Sequence, residues 1–539
     1  MELRDSFFEW FRNTLNFTSK KKKLTLVRSK WAQDVNIWRD PDLVNIYHEH
    51  TREDDTRSIN DKTWNDLKMW DVFEKLDRTV STAGRQVLFD KLKTYKDENC
   101  SDDSFFELVK LFRKDTSFRE EIQLQLMSLE TTQSYFLPVI LQDDEERKIS
   151  CPFIYHFLGY AAFIIPLLIF VKPYFFFWLI GLVIINISIN FYFTKKIYRN
   201  FSTYYYLAVM ANITLNLQKK VNLPDHPLFN YVKSSENLCK KIKRRMGNIL
   251  TDRSAMSEAE QAVYEYMNMI GLYDLRIFLK ANELLKEYNF ELNKLFKTLG
   301  EIDSSISVAS YIEQHQNCCR PKFNSYNNIK IDNMIHPLVE NAVPNSIDLE
   351  NHSLLITGSN MSGKTTFIKT VGVNFILAQT VGFMLAEKAD IPRLKILSSI
   401  KIEDNLDQGK SYYQAEVDEL LAFLNKEDQI NQYLFLIDEI YRGTNTVERI
   451  SASTAVLKYL SNSNLTFVTT HDIELQTLLG EKYEMKHFSE CVDGNRFYFD
   501  YKIKDGPCKT RNAIKLLELS GYPQQVVTNA YRLAENFRN

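Results

Sequence analysis

The segment Gly358-Ser-Asn-Met-Ser-Gly-Lys-Thr365 fits the pattern G-x4-G-K-[ST] and follows the apolar run Leu354-Leu355-Ile356. That spacing suits phosphate. Small residues let backbone N–H groups close on the oxygens, a lysine reaches the β and γ positions, and a hydroxyl is offered to Mg²⁺. The pattern implies a nucleoside triphosphate held by Gly358, Ser359, Asn360, Met361, Ser362, Gly363, Lys364, Thr365 and Thr366. A helix must follow, so that its positive end meets the anion. Thr366 to Val381 is mostly apolar and free of proline, and Gly382 is a suitable stop. A chance glycine-lysine turn is the plain alternative.

Two later segments argue against chance. Tyr433-Leu-Phe-Leu-Ile-Asp-Glu439 is a buried-strand run ending in two carboxylates, which suits Asp438, with Thr365, for Mg²⁺ and Glu439 for polarising the attacking water. Leu465-Thr-Phe-Val-Thr-Thr-His471 is another apolar strand, and its histidine could contact the γ-phosphate. Taken singly, Asp438-Glu439 reads as a solvated turn and His471 as a helix cap or surface residue. Parallel strands of an open α/β sheet, however, deliver their C-terminal ends to one crevice. Together the three termini point to hydrolysis, with Lys364, Glu439 and His471 as the catalytic set.

These motifs resemble the ATPase domain of the MutS family, within the ABC class of P-loop ATPases: Ser359 to Thr365, Asp438-Glu-Ile-Tyr-Arg-Gly-Thr444 and Thr469-Thr-His471. Ile335-His-Pro-Leu-Val339 with Val343-Pro-Asn345 resembles the family's opening strand, and Gly382-Phe-Met-Leu-Ala386 the segment after its P-loop helix. Gly409-Lys-Ser-Tyr-Tyr-Gln-Ala-Glu416 is similar to the signature that reaches the partner subunit's nucleotide, which implies a trans role for Ser411 and Glu416. Ile514 to Ala530 resembles the closing helices that help hold the dimer. Leu76 to Arg85 resembles the start of the family's helical core, and Gly300 to Asp303, Ser307 to Ser310 and Arg320-Pro321 its end. The resemblance implies ATP and Mg²⁺ as ligands and a homodimer through the ATPase domain. Two departures stand out. Tyr441 replaces the usual glycine, which bears on turnover, and Ala342 replaces a frequent aromatic near the adenine, which bears on base preference.

A net charge of −2 gives no global pull toward nucleic acid. The seven cysteines are odd in number and lack paired metal spacing, as in reduced cytosolic thiols, and the adjacent Cys318-Cys319 make a poor zinc pair. Phe153 to Val171 and Tyr174 to Phe193 each run without a charged residue for about the twenty positions that cross a bilayer, with Lys172-Pro173 between them. The expectation is a transmembrane helical hairpin, a buried soluble hairpin being the alternative. Arg147-Lys148 before it and Lys195-Lys196 with Arg199 after it place both ends, and so the N- and C-terminal regions, in the cytoplasm. Asn186 and Asn190 are one turn apart, suited either to bonding the partner helix or to simple tolerance near the membrane edge. The charged N-terminal segment does not read as a secretory signal.

The expected architecture is an α/β ABC-type P-loop ATPase domain with a long-helix all-α core interrupted by a membrane hairpin. Its boundaries are 1–60 for a polar, helical lead, 61–150 for the first segment of the helical core, 151–195 for the hairpin and 196–325 for the second segment of the core, followed by 326–510 for the ATPase and 511–539 for a helical dimerisation segment. Ala255 to Leu299 reads as long helix. The family's mismatch-reading domain inserts a phenylalanine from a Phe-x-Glu motif as an apolar wedge. The sequence ahead of the core is too short to hold it, and Phe7-Phe-Glu9 reads as a chance match, so any DNA binding is expected not to select mismatches. Lys240, Lys241, Lys243, Arg244 and Arg245 could touch phosphates or anionic lipid, or form a solvated face. Two other classes compete with a membrane-anchored ATPase: a transport-associated ATPase, disfavoured by the missing Leu-Ser-Gly-Gly-Gln signature, and a non-catalytic scaffold clamped by nucleotide, for which Tyr441 speaks.

Overall fold

The computed structural model describes residues 20–35, 38–51, 57–96, 103–130, 132–142, 151–246, 257–315, 317–359, 361–400, 412–426, 432–441, 444–480, 482–493, 496–508, 514, 517 and 521–536. Phe7-Phe-Glu9, Asn360, Ser411 and the Arg147-Lys148 flank lie outside them. The chain divides into two units. The first is Met1–Glu53, Glu74–Asp90 and Asp102–Gln314, and the second is Asp54–Phe73, Lys91–Ser101 and His315–Asn539.

The first unit is helical. Its principal helices are α1 (Thr82–Lys93, within this unit as far as Asp90), α2 (Pro152–Ile169), α3 (Phe175–Lys220), α4 (Glu236–Met246), α5 (Glu258–Gly271) and α6 (Tyr273–Gln314). Helices α1 and α6 approach closely because two glycines leave room. A methyl group on Gly84 would lie 2.2 Å from Asp303 Oδ2, and one on Gly300 would lie 2.4 Å from Val87 Cγ2. Across that contact, Asp303 caps the start of α1: Ser81 N donates to Oδ2 at 2.8 Å and Ser81 Oγ at 2.5 Å. Ser307 Oγ accepts from Arg78 N at 2.7 Å and donates to Leu76 O at 2.6 Å. The two sequence stretches expected to open and close the helical core thus meet and satisfy each other's buried polar groups.

Helix α3 does not end with its apolar stretch. It runs for 46 residues, past the boundary expected near 195, since after Gly181 no glycine or proline follows until Pro224. The long helix expected over 255–299 is divided at Gly271, where Leu272 takes a left-handed φ of 51° and starts a new direction.

The second unit is a three-layer α/β fold. Its main sheet has the order β12-β9-β4-β8-β7-β6, built from β4 (Ser353–Thr357), β6 (Lys395–Ser399), β7 (Tyr433–Asp438), β8 (Leu465–Thr470), β9 (Tyr483–His487) and β12 (Lys504–Asp505). All its pairings are parallel except β12 with β9. Strands β4, β7 and β8 are buried along their whole length, as continuous apolar runs should be when helices cover both faces. Leu436 meets α7 (Lys364–Thr380), where a methyl on Gly372 would lie 2.7 Å from Leu436 Cδ1. Phe435 and Ile437 point the other way, into a cluster with Leu420 and Phe423 of α8 (Tyr412–Leu424) and Leu457 and Leu460 of α9 (Thr446–Leu460). A second sheet, β1-β5-β2-β3, is built from β1 (Lys322–Asn324), β2 (Asn328–Met334), β3 (Asn345–Glu350) and β5 (Lys388–Pro392), and β10 (Glu490–Asp493) pairs with β11 (Arg496–Phe499).

Strand β6 is the sheet's edge, and an open edge invites pairing with another chain. Its outward N–H groups are met from the second unit's early segments: Ile396 N donates to Tyr95 Oη at 2.9 Å, Ser398 N to Thr63 Oγ1 at 3.1 Å and Ile400 N to Asp66 Oδ2 at 3.1 Å. The expected boundary at 61 is corrected accordingly. Asp54–Phe73 and Lys91–Ser101 belong with the sheet rather than with the helical core.

Burial pushes the Asp303 carboxyl up to about 7, against the opposing hydrogen bonds from Ser81 and Val80. Between the ordinary carboxylate value of about 4 and that level, the folded chain holds a proton that the unfolded chain has released. This group's contribution to stability is therefore full below about pH 4 and declines as pH rises toward 7. Denaturant unfolding of the full chain in detergent should show that decline, and Asp303→Asn should flatten it. An unchanged slope in the variant would contradict the assignment.

Candidate active site

Register brings the three strand termini together. Strand β8 lies between β4 and β7, with Thr357 paired to Thr470 and Asp438 paired to Thr469, so the P-loop, the two carboxylates and His471 leave the sheet at one end. The turn out of β4 needs glycine. Gly358 has φ +146° and a methyl there would lie 2.4 Å from Phe488 O, while Gly363, with φ +109°, caps α7. Met361 also takes a positive φ of 68° and points outward. The expected stop is where the sequence placed it: Gly382, at φ +85°, donates its N–H to Leu377 O at 2.9 Å.

Within the loop, the buried Lys364 ammonium donates to Gly358 O at 2.9 Å and Ser359 O at 2.8 Å, and Ser362 Oγ donates to Ser359 O at 2.8 Å. Ser359 Oγ is buried and meets no hydrogen-bond partner among the described residues. Such an orphan costs about 1–3 kcal/mol unless a ligand meets it. Thr365 Oγ1 lies 3.0 Å from both oxygens of Asp438, and Thr469 Oγ1 donates to Asp438 Oδ1 at 2.5 Å. One carboxylate therefore ties together the start of α7, the end of β7 and the end of β8. The unmet Ser359 hydroxyl, the glycine cradle and this hydroxyl–carboxylate pair fit a phosphate chain with its magnesium ion.

Beside them, His471 Nε2 is 2.6 Å from Glu439 Oε1. Glu439 sits at φ +58°, held by its own N–H donating to Thr469 O at 3.1 Å. Thr366 lines an adjoining pocket of about 320 Å³, with Ala342, Val343, Phe367, Phe488 and Tyr501. Phe488 and Tyr501 were missed from the sequence. Phe488 follows β9, which reaches the loop only through parallel pairing with β4, and Tyr501 is carried there from beyond β11 with its carbonyl accepting from Asn345 Nδ2 at 3.0 Å.

Two sequence expectations look different in the structure. Glu416 is buried, and its Oε1 accepts from Tyr441 N of its own chain at 2.5 Å. Tyr441 takes φ +59°, which explains why glycine suits that position, and its buried ring packs 6.0 Å from Tyr413. In the helical unit, the basic residues of α4 are largely spoken for. Lys240 pairs with Glu236 at 2.7 Å, Lys241 and Arg245 pair with Glu287 at 2.8 and 3.9 Å, and Lys243 donates to Asn212 Oδ1 at 3.3 Å. Arg244 faces solvent.

Comparison with known proteins agrees with the geometry. Residues 354–538 match the family model for MutS domain V. That region of the chain is similar to MutS domain V. The chain is similar to the DNA mismatch repair protein MutS of Staphylococcus haemolyticus, at 30% identity over 277 residues, covering 49% of this chain and 31% of the relative. The MutS proteins of Lactobacillus acidophilus (31% over 295 residues, 52% and 34%) and Thermus aquaticus (30% over 285 residues, 52% and 34%) are similar to the same extent. The chain spans about a third of the length of these MutS relatives.

The link from Glu416 to Tyr441 yields a test. Glu416→Ala leaves a buried N–H without its acceptor and should cost about 2 kcal/mol of stability, whereas Glu416→Gln keeps an acceptor oxygen and should cost much less. Chemical denaturation of the two variants decides this, and equal losses would show that the hydrogen bond is not what holds the turn.

Proposed function

We propose that this chain belongs to the MutS family and is a magnesium-dependent ATPase anchored to a membrane through the α2–α3 hairpin. The observation that carries the catalytic reading is the Asp438 carboxylate bound to both Thr365 and Thr469 at the mouth of the phosphate loop. In the proposed cycle, the loop N–H groups, the α7 N-terminus and Lys364 hold the β and γ phosphates. Thr365 and Asp438 would hold Mg²⁺, which when bound offsets charge on the phosphate oxygens. Glu439 orients the attacking water and takes its proton, and His471, 2.6 Å away, steadies that carboxylate and faces the γ position. The pocket beside Thr366 takes the base.

Support for the anchor comes from exposure rather than from hydropathy alone. The two helices expected to cross are only 17% and 11% buried over their apolar windows, unlike a soluble core helix. The MutS relatives carry mismatch repair in their names, and DNA contact not selective for mismatches belongs to the same proposal. Its proposed carriers are Lys240, Lys241, Lys243, Arg244 and Arg245 of α4, whose surface ion pairs are weak enough to exchange for phosphates. A homodimer is included too, with Ser411 reaching the partner's nucleotide.

Steady-state phosphate release from the purified full chain tests the roles. Lys364→Ala should weaken ATP binding, whereas Glu439→Gln should bind ATP normally and turn over at least about a hundredfold more slowly. The same Glu439→Gln protein should shift to a dimer on adding ATP, by sedimentation. Wild-type turnover in Glu439→Gln would refute the catalytic assignment, and an unchanged monomer at saturating ATP the dimer.

A further inference from the structure

His471 takes its direction from the backbone that carries it. Its side chain is 36% exposed, and among the described residues its polar partner is the Glu439 carboxylate. On one flank, Thr470 is fixed in β8 by its pairing with Thr357 of β4. On the other flank the chain has left the sheet, and an unanchored turn there would let the imidazole swing away from Glu439.

Asp472 supplies the anchor. Its carboxylate accepts from Arg449 Nε at 2.8 Å through Oδ2 and from Arg449 Nη2 at 2.7 Å through Oδ1, and the two side chains are only 24% (Arg449) and 14% (Asp472) exposed. The backbone of Asp472 is held as well: its N–H donates to Thr470 Oγ1 at 3.0 Å, and its carbonyl accepts from Leu475 N at 3.3 Å in the helical turn Glu474–Leu478. A two-pronged guanidinium–carboxylate contact fixes an angle as well as a distance, which a lysine ammonium does not. On the other side of the pair, Arg449 stands in the first turn of α9, where Asn445 Oδ1 accepts from Glu448 N at 3.0 Å and Asn445 O from Arg449 N at 2.9 Å.

Helix α9 is itself referenced to the carboxylates, because its Leu457 and Leu460 share a cluster with Phe435 and Ile437 of β7, the strand that leads to Asp438 and Glu439. Glu439 and His471 are therefore registered to each other twice. One link is Glu439 N donating to Thr469 O at 3.1 Å, and the other runs through α9 and the Arg449–Asp472 pair. The Arg449 guanidinium is raised above its ordinary value, chiefly by the Asp472 hydrogen bond, with a smaller attraction from Glu439. We propose, resting on the ATPase reading above, that Arg449 and Asp472 are positioning residues for hydrolysis: their paired contact aims the His471 ring at the Glu439 carboxylate, and they act through that ring rather than on the nucleotide.

Single-turnover ATP hydrolysis and ATP affinity of the full chain test this, for Arg449→Met, Arg449→Lys and Asp472→Asn, each alone and combined with His471→Asn. Alone, each should slow hydrolysis about tenfold and change ATP affinity by less than about twofold. Arg449→Lys keeps the charge but loses the fork, so it should fall with Arg449→Met rather than with the wild type. With His471→Asn present, the same changes should cost nothing further, because no ring is left to aim. A pair that merely holds the fold would slow hydrolysis by the same factor with or without His471. That outcome, or a wild-type rate in Arg449→Lys or Asp472→Asn, would overturn the inference and leave the ATPase reading intact. Should Arg449→Met fail to fold, Asp472→Asn decides by the same criteria. If Glu439→Gln hydrolyses ATP at the wild-type rate, the ATPase assignment itself fails, and the inference with it.

Discussion

The site depends on one carboxylate shared by three elements. Asp438 ends a fully buried strand, accepts from the last residues of the neighbouring strand through Thr469, and meets the first turn of α7 through Thr365. Thr365 and Thr469 present hydroxyls to it, oxygen donors of the kind that share a magnesium ion with a carboxylate. A cation sitting between Thr365 and Asp438 is the natural complement. Because Asp438, Glu439 and Thr469 are fixed by strand register, a slip of one residue would turn Asp438 to the opposite face and dissolve the site.

Around that fixed point the chain accepts unfavourable backbone. Met361, Glu439 and Tyr441 all take left-handed φ without being glycine, and all lie in the segments that surround the phosphate site. Such residues persist only where neighbours over-determine them. Here the neighbours are visible for two of them: Thr469 O holds Glu439, while Glu416 and Tyr413 hold Tyr441. The substitution of tyrosine for glycine is thus accommodated by packing and does not disturb the Glu439–His471 pair.

What could be read from the sequence was local or strongly periodic. The P-loop, its helix and stop, the two carboxylates at a strand end and the paired apolar helices all announce themselves within some twenty residues. What could not be read was brought together over distance. Nothing local marks Thr63, Asp66 and Tyr95 as partners of β6, or Tyr501 as a wall of the pocket beside Thr366. The unbroken α3 hid the boundary near 195, since a helix has no reason to end where its sequence passes from apolar to polar. Helix α5 looked like a stretch of one long helix, and its exposed face emerged only once Gly271 was seen to break it.

The most direct test of the account is calorimetric titration of ATP into the wild-type chain and Asp438→Ala, each with and without Mg²⁺. The account predicts that Mg²⁺ tightens wild-type binding by about tenfold or more, and that Asp438→Ala loses this gain while keeping magnesium-free binding through Lys364 and the loop. Undiminished magnesium dependence in Asp438→Ala would contradict it.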